Sequence, residues 1–345
     1  MAMEKEVVGA IVAAGASIVV AVFSAIFSLV TARRAAQVGI DLERFKNKLG
    51  EQAAERDARR DYEYDARKRL YSEVEPLLFQ LYESLEEAHY RVRSLARTSR
   101  SGNLGEGDAS WVDGPGYYLK STMYKLILPA VHFRLMQRQV TFVDLNLDES
   151  IRLRYQLMKL YSRSFTDDFV LASIAPRLRY DPNDETSRTA RATEPAVYMR
   201  QGLVLGDLEN LAEVLLIQKA DKPQRAMSLS DFDQLMKSKL SSNESVKELM
   251  ALLTGFSPQT RPVLARILVA QACMAQLILS TFDQKTKTTQ LEGRLNEIVS
   301  AIEKCNTLAW TAGKPCEDLR VAQQYWSERL KWVGTTTWIE RDKSA

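Results

Sequence analysis

The distribution of hydrophobic and charged residues divides the chain into three parts. Residues 7–32 contain no charge, and at about 1.5 Å per helical residue they are long enough to cross a hydrocarbon core of about 30 Å. The next segment is dense in charges of both signs, and from Ala66 the apolar residues recur near the 3.6-residue period of an amphipathic helix. We predict an all-α protein with a transmembrane anchor over 1–32, a charged helical stalk over 33–65 and a helical-bundle domain over 66–345.

The apolar segment 7–32 has two interpretations, an uncleaved anchor and a cleaved signal peptide. A signal peptide usually has an apolar region of only about 7–15 residues behind a positively charged start. In this chain two Glu and one Lys precede the segment, and no clear A-x-A cleavage site lies ahead of Arg33. Its length and flanking residues therefore favour a single-pass anchor that is retained.

Basic residues on either side of the anchor predict its orientation. Lys5 lies ahead of it, whereas Arg33, Arg34 and further Arg and Lys residues follow within about 15–20 residues. The excess of positive charge predicts an N-terminus outside the cell membrane and a cytoplasmic C-terminal domain, with Arg33 and Arg34 contacting lipid. The three cysteines lack metal-ligand spacing, which agrees with a reducing compartment, and we expect all of them to be small core residues.

Two stretches predict that the protein self-associates. Within the anchor a ridge of small residues recurs every four positions and would let a second helix approach closely: Gly9, Ala13, Ser17, Ala21 and Ala25. The segment is rich in small residues, so composition alone also explains this ridge. In the stalk the spacings alternate between four and three, as in a coiled-coil seam, at Val38, Leu42, Phe45 and Leu49. Since the seam ends at Gly50, a solvated single helix is an equal alternative.

The amphipathic pattern of the domain predicts helices joined by polar loops. The predicted helices are 66–95, 117–143, 151–169, 196–219, 231–240, 244–254, 289–311 and 319–333. We expect Pro76 to kink the first of them or lie in its first turn, Pro129 to break the second, and Ser230 and Asn243 to act as N-caps. No run of alternating β-branched residues bounded by hairpin turns is evident, so the predicted fold is all-α.

Three other segments of the domain leave alternatives open. Loops are predicted near 99–116 and 175–195, and the second is either disordered or a binding loop. Residues 263–282 carry only one charge, Arg266, and form either a second membrane span or a helix buried on all sides. Gln271 and Gln276 raise the cost of insertion into a membrane, which favours the buried helix.

Composition leaves little material for catalysis. The chain has 47 basic and 44 acidic residues, and a net charge of +3 is too small for a dedicated nucleic-acid module. Its two histidines do not support a catalytic triad or a multi-histidine metal site. Glu86 and His89 have the Glu-x-x-His spacing of di-iron bundles, but such a site needs this unit twice, so we expect a surface ion pair or helix-face contact. We predict no catalytic residue, cofactor or metal, and hence no enzyme.

Several arginines of the domain have two interpretations. They are Arg134, Arg138, Arg152, Arg154 and Arg163. These side chains form either a basic face for anionic ligands or interspersed solvating charges. The second interpretation is favoured, because Asp144, Asp148 and Glu149 offer partners nearby in sequence.

The anchor and the lack of catalytic motifs favour a binding role. We expect a membrane-tethered scaffold, adaptor or sensor at the cytoplasmic face, which contacts lipid, forms homo-oligomers and binds a protein partner that the sequence does not identify. The alternative from a different class is a membrane effector that forms a pore or perturbs the bilayer when the cytoplasmic domain receives a signal. An enzyme with a site in the helical domain ranks third.

Overall fold

The computed structural model describes residues 2–104, 111–112, 116–140, 144–174, 201–219, 222–239, 243–281 and 286–333. The protein is mostly helical, with 81% helix and 2% strand, in agreement with the predicted class at this level. It divides into two compact units, Met1–Asp65 and Ala66–Ala345. The predicted loop at 175–195 lies outside the described residues.

The elements in chain order are α1 (Ala2–Arg100), α2 (Tyr117–Gln139), α3 (Glu149–Arg163), α4 (Asp168–Ser173), α5 (Leu205–Val214), β1 (Leu216–Lys219), β2 (Lys222–Ala226), α6 (Leu229–Lys239), α7 (Glu244–Leu253), α8 (Pro262–Ser280), α9 (Leu291–Cys305) and α10 (Asp318–Leu330). Short 3-10 turns at Leu145–Leu147, Ser164–Thr166 and Thr288–Gln290 connect some of the helices.

Helix α8 forms the centre of the second unit. It packs against α3 and α4, which precede it, and against α9 and α10, which follow it. Leu264, Leu268 and Ile278 have no exposed surface, and 83% of the most apolar stretch of the helix is buried. A helix that is apolar all round is stable when neighbours cover every side. This is the buried core helix that the sequence favours for 263–282.

One charged residue of α8 lies inside this core. The Arg266 side chain is 3% exposed, and its Nε lies 3.4 Å from Oδ1 of Asp318 at the start of α10. Its Nη1 donates a hydrogen bond of 3.2 Å to the carbonyl oxygen of Leu171 in α4. A buried charge needs such partners, because an unpaired one is costly to remove from water. Arg266 therefore links the central helix to two neighbours.

The residues at 201–203 are held tightly against the junction of α3 and α4. The carboxylate of Asp168 accepts hydrogen bonds from the backbone N–H groups of Phe169, Gln201 and Gly202. The N–H of Leu203 donates to the carbonyl of Phe165 at 2.8 Å. A Cβ atom at Gly202 would lie 2.5 Å from that same carbonyl oxygen, so only glycine permits this close approach.

The observed N-caps of the helices agree only in part with those predicted from the sequence. The side chain of Asn243 accepts a hydrogen bond from the N–H of Val246, which confirms it as the N-cap of α7. The prediction of Ser230 as a cap is wrong, because α6 begins at Leu229. Ser228 caps this helix instead: its Oγ accepts from the N–H of Asp231, whose carboxylate accepts from the N–H of Ser228.

A hairpin replaces the end of one predicted helix. Helix α5 ends at Val214, and β1 and β2 pair antiparallel with Leu216 opposite Ala226. The hairpin packs beside α2, where the hydroxyl of Tyr124 donates to the carbonyl of Met227 at 2.8 Å. The prediction of one helix extending to residue 219 is therefore wrong, whereas the two short strands leave the fold mostly helical, consistent with the all-α class. Contacts with a helix distant in sequence outweigh the local helical pattern here.

Two predictions about helix continuity are also wrong. Helix α2 passes through Pro129 without a break, because the residues around the proline are buried on several sides and keep the helix packed. Pro76 lies well inside α1, which excludes the first turn, and a kink at this proline stays a prediction. The predicted helix 151–169 is divided by the turn at Ser164–Thr166, and this change of direction leaves the Phe169 side chain 45% exposed.

Candidate functional site

The apolar surface predicted to lie in a membrane is fully exposed in the unit Met1–Asp65. Gly9, Ser17, Ala21 and Ala25 are exposed, and the side chain of Ala13 lies outside the described residues. The most apolar 18-residue stretch of α1 is 0% buried. An apolar surface of this length is usually covered by lipid or by another protein surface, because its contact with water is unfavourable.

The residues predicted to contact headgroups and to form the stalk seam lie on the same helix. Arg33 and Arg34 are exposed. The four seam residues, Val38, Leu42, Phe45 and Leu49, are also exposed. A single chain gives these apolar side chains no partner among the described residues, so lipid contact and the coiled coil stay predictions.

Two helices within the described residues are long and apolar enough to cross a membrane, α1 and α8. Because α8 is mostly buried in the domain, α1 is the candidate span. An apolar helix near the N-terminus is a weak candidate for a span and is also consistent with a signal sequence, which passes the same test of length and apolarity.

The pair Glu86 and His89 does not form the expected surface contact. His89 is buried, its Nδ1 lies 3.2 Å from the carbonyl oxygen of Ala272, and Glu86 is exposed. Burial lowers the pKa of the His89 imidazole. This histidine joins α1 to α8 inside the domain. No cluster of three or more potential metal-ligating residues is present in the described parts of the chain.

The cysteines differ in exposure. Cys273 and Cys316 are buried, and burial raises the pKa of the Cys316 thiol to about 12, which leaves it protonated and unreactive near neutral pH. Cys305 is exposed, so the prediction of a core position is wrong for this residue. It lies at the last position of α9, where the amphipathic face turns toward solvent.

The arginines of α2 and α3 have partners that the sequence did not indicate. Arg134 and Arg138 both pair with Glu213 of α5, and the Arg134 Nε lies 2.6 Å from its Oε1. Arg154 donates to the carbonyl of Thr281 at 3.4 Å. Asp148, expected as a partner, caps α3 by accepting a hydrogen bond from the N–H of Ile151, and this bond together with the charge of Arg154 lowers the pKa of its carboxyl. The partners of these arginines therefore come largely from other elements of the fold.

A small pocket opens beside these ion pairs, between α2, α3 and α5. Its volume is about 90 Å³, and Phe133, Ser162 and Leu208 are among the residues that line it. The Ser162 hydroxyl is buried without a hydrogen-bond partner. Ligand pockets usually have volumes of about 300–1000 Å³, so this space suits only a few atoms.

A larger groove lies between the end of α1 and the end of α9, and we call it the α1–α9 groove. Its volume is about 400 Å³. The lining residues are Tyr90, Arg93, Ser94, Arg97, Arg100, Cys305, Asn306 and Thr307. This set includes three arginines, and none of the described residues that line the groove is acidic. The groove is therefore a basic site of ligand-sized volume.

The two sides of the α1–α9 groove are fixed to each other. The Arg100 guanidinium donates to the carbonyl oxygen of Ala309, and the Ser99 hydroxyl donates to that of Trp310 at 2.9 Å. The chain leaves α9 through Asn306, which adopts a left-handed conformation with φ 47°. These contacts hold the chain after α9 against the end of α1.

The sequence reasoning missed the α1–α9 groove. Arg93, Arg97 and Arg100 follow each other at spacings of four and three and thus lie on one helix face, a pattern that is visible in the sequence. The other side comes from residues more than two hundred positions later, as the Arg100 to Ala309 contact shows. Only the fold brings these two segments together.

Comparison with known proteins finds no relative. No protein-family model, curated protein or solved structure matches the chain. No residue role is therefore transferred from another protein. Exposure, charge and geometry alone support the assignment of function.

Proposed function

We propose that the protein is a self-associating membrane-tethered scaffold, adaptor or sensor, whose helical domain acts at the cytoplasmic face. The single observation that carries this proposal is the complete exposure of the most apolar stretch of α1. In water such a stretch would aggregate, whereas in a bilayer a helix satisfies its own backbone hydrogen bonds and its side chains contact lipid. The domain that follows supplies the binding surface.

The charges around the apolar stretch support an N-out, C-in orientation. Arg33 and Arg34 follow it directly, and basic residues favour the cytoplasmic side of a span. A reporter fused to the C-terminus should be active only in the cytoplasm, and the mature protein should retain its first twenty residues. An external C-terminal domain, or an N-terminus beyond this region, would reject the anchor and indicate a cleaved signal sequence.

The ridge of Gly9, Ala13, Ser17, Ala21 and Ala25 supports self-association within the membrane. Small residues at intervals of four allow close packing of helix backbones in lipid, although each contact is worth only about 1 kcal/mol. Replacement of both Ala13 and Ser17 by Leu should therefore shift oligomers in detergent toward monomers while insertion persists. The matched control replaces Val19 and Val22 by Leu, which adds bulk away from the ridge.

Equal oligomer distributions in the ridge variant and in this control would exclude the ridge as an interface. Any assembly would then reside elsewhere in the protein. A pull-down from detergent tests the scaffold role. A protein partner of the cytoplasmic domain should bind both the full chain and the chain that lacks residues 1–32.

The same exposed helix is compatible with an effector that perturbs the bilayer. A membrane-potential dye distinguishes the two roles after induced expression. A scaffold should leave the potential unchanged, whereas a pore should depolarise the cells, and only in the second case should the ridge variant restore the potential.

A further inference from the structure

We propose that the α1–α9 groove binds a phosphate-bearing ligand through Arg97 and Arg93. This site goes beyond the scaffold role and does not depend on the membrane anchor. Three properties of the groove favour this ligand: its positive charge, the free donors of its arginines and its size.

The charge of the groove is concentrated relative to the rest of the protein. The whole chain has an excess of only three positive charges, from 47 basic and 44 acidic residues. The groove contains three arginines, and its described lining includes no carboxylate. Elsewhere in the domain arginines meet acids, as Arg134 does with Glu213 at 2.6 Å. The local excess therefore favours an anion.

The three arginines differ in what they already bind. Arg100 is engaged with the carbonyl of Ala309. The Arg93 guanidinium lies 5.7 Å from the ring centre of Tyr90, a cation–π distance that positions it without using its hydrogen-bond donors. The Arg97 side chain is exposed, and its guanidinium makes no hydrogen bond or ion pair with another described residue. Arg93 and Arg97 thus keep their donors for a ligand.

The spacing of these arginines favours phosphate over a single carboxylate. Residues four apart on a helix are neighbours, so the two guanidinium groups can approach one ligand from the same side. Each guanidinium presents a planar set of donors, and a phosphate group has enough oxygen atoms to accept from two of them. The Ser94 and Thr307 hydroxyls add further polar lining.

The volume of the groove, and the end of α9 that forms one of its sides, are consistent with this ligand. A volume of about 400 Å³ lies within the range of about 300–1000 Å³ typical of small-molecule sites. The end of α9 would oppose an anion through its exposed carbonyl groups. The nearby Ala309 carbonyl accepts a hydrogen bond from Arg100. The carbonyl of Glu303 accepts one from the N–H of Asn306 at 3.0 Å. These two carbonyl oxygens already accept hydrogen bonds, and three arginines line the groove.

The test uses the full chain, purified in neutral detergent, and sodium pyrophosphate as the probe in calorimetry at constant ionic strength. We expect saturable binding that Arg97→Gln weakens by roughly tenfold, since a lost charge-assisted hydrogen bond has about this effect. The matched control is Arg320→Gln, which removes an exposed arginine from α10 outside the groove. Circular dichroism verifies that both variants keep their helix content.

A second arm distinguishes a soluble phosphate compound from a lipid headgroup. Detergent micelles containing phosphatidic acid are compared with micelles containing phosphatidylcholine. Binding of pyrophosphate that depends on Arg97 supports a soluble ligand. Binding to phosphatidic acid that depends on Arg97, without pyrophosphate binding, supports a headgroup. No saturable binding in either arm, or equal losses for Arg97→Gln and Arg320→Gln, would overturn the proposal.

Discussion

The side-chain oxygen of Gln201 lies 2.7 Å from the backbone nitrogen of Val263 and accepts its hydrogen bond. The same oxygen accepts a second bond, from the N–H of Leu264 at 3.1 Å. Helix α8 has no side-chain cap of its own, and its first residue is Pro262, which has no N–H. The first N–H groups of a helix lack partners within it. A glutamine distant in sequence therefore caps the central helix.

Replacing Gln201 by Ala should lower the free energy of unfolding of the domain by about 1–2 kcal/mol, because two buried N–H groups lose their acceptor. Denaturant unfolding followed by tryptophan fluorescence measures this, since Trp326 is fully buried in the domain. Gln324→Ala in α10 is the control, as this side chain is exposed and a change within about 0.5 kcal/mol is expected. Equal stabilities of the two variants would exclude the cap.

Two glycines should respond to alanine with opposite signs. At Gly202 a Cβ atom would lie 2.5 Å from the Phe165 carbonyl oxygen, so Gly202→Ala should destabilise the domain by about 1–3 kcal/mol. At Gly206, inside α5, a Cβ atom meets nothing within 4 Å. Gly206→Ala should therefore stabilise the helix by up to about 1 kcal/mol. Thermal unfolding of both variants gives the comparison, and a Gly202→Ala protein as stable as the parent would contradict the close approach.

The buried ion pair of Arg266 and Asp318 should be sensitive to loss of one partner. Asp318→Asn leaves the Arg266 charge without its counter-ion in the core, and we expect a loss of about 2–4 kcal/mol in unfolding free energy. Glu328→Gln breaks an exposed pair with Lys331, the residue that follows α10, and should change stability by less than about 1 kcal/mol.

The double variant Arg266→Met with Asp318→Leu provides a further check on this pair. It removes both charges and should recover part of the stability, because hydrophobic replacements of a buried pair are often neutral. A double variant less stable than Asp318→Asn would show that the hydrogen bond from Arg266 to Leu171 matters more than the charge.

The stability of the domain should fall at acidic pH because of His132. Burial lowers the pKa of this imidazole from 6.5 to about 4, and a hydrogen bond to the backbone of Gln80 opposes the shift only in part. The unfolded chain therefore binds a proton between pH 6.5 and 4 that the folded chain excludes. Above pH 6.5 His132 has no effect on how the free energy of unfolding changes with pH. As the pH falls from 6.5 to 4, protonation of this histidine in the unfolded chain lowers the free energy of unfolding by about 3 kcal/mol.

Urea unfolding at several pH values measures this slope. His132→Gln should lose stability more slowly with falling pH than the parent protein does between pH 6.5 and 4. Carboxylates contribute to both proteins, so the difference between the two curves isolates the histidine. Parallel curves would show that folding does not lower the pKa of His132.

The periodicity of apolar residues is sufficient to predict helices that bury a single apolar face. For α7 it predicted both the range and the Asn243 cap, since this signal lies within a few neighbouring residues. It failed at β1 and β2, whose strands LIQK and KPQRA are short and polar and pair beside α2. Next to β2, the hydroxyl of Tyr124 from a distant part of the chain donates a hydrogen bond to the Met227 carbonyl.

The candidate site shows the same limit. The arginines of α1 were visible as a charge pattern, but their position opposite the end of α9 was not. The contacts that define the interior also join distant positions, as Gln201 with Val263 and Arg266 with Asp318 do. A single sequence contains no signal for such pairs, because any polar residue of suitable length satisfies the local pattern equally well.

The central position of α8 also has a consequence for biosynthesis. Helices α3 and α4 are made before it, and their buried residues include Leu157 and Leu171. At about 5–20 residues per second they emerge on the order of ten seconds before the helix that covers them. During this interval the nascent chain presents apolar surface to chaperones and proteases. Any fragment that stops ahead of Pro262 keeps this surface permanently and should be removed by quality control.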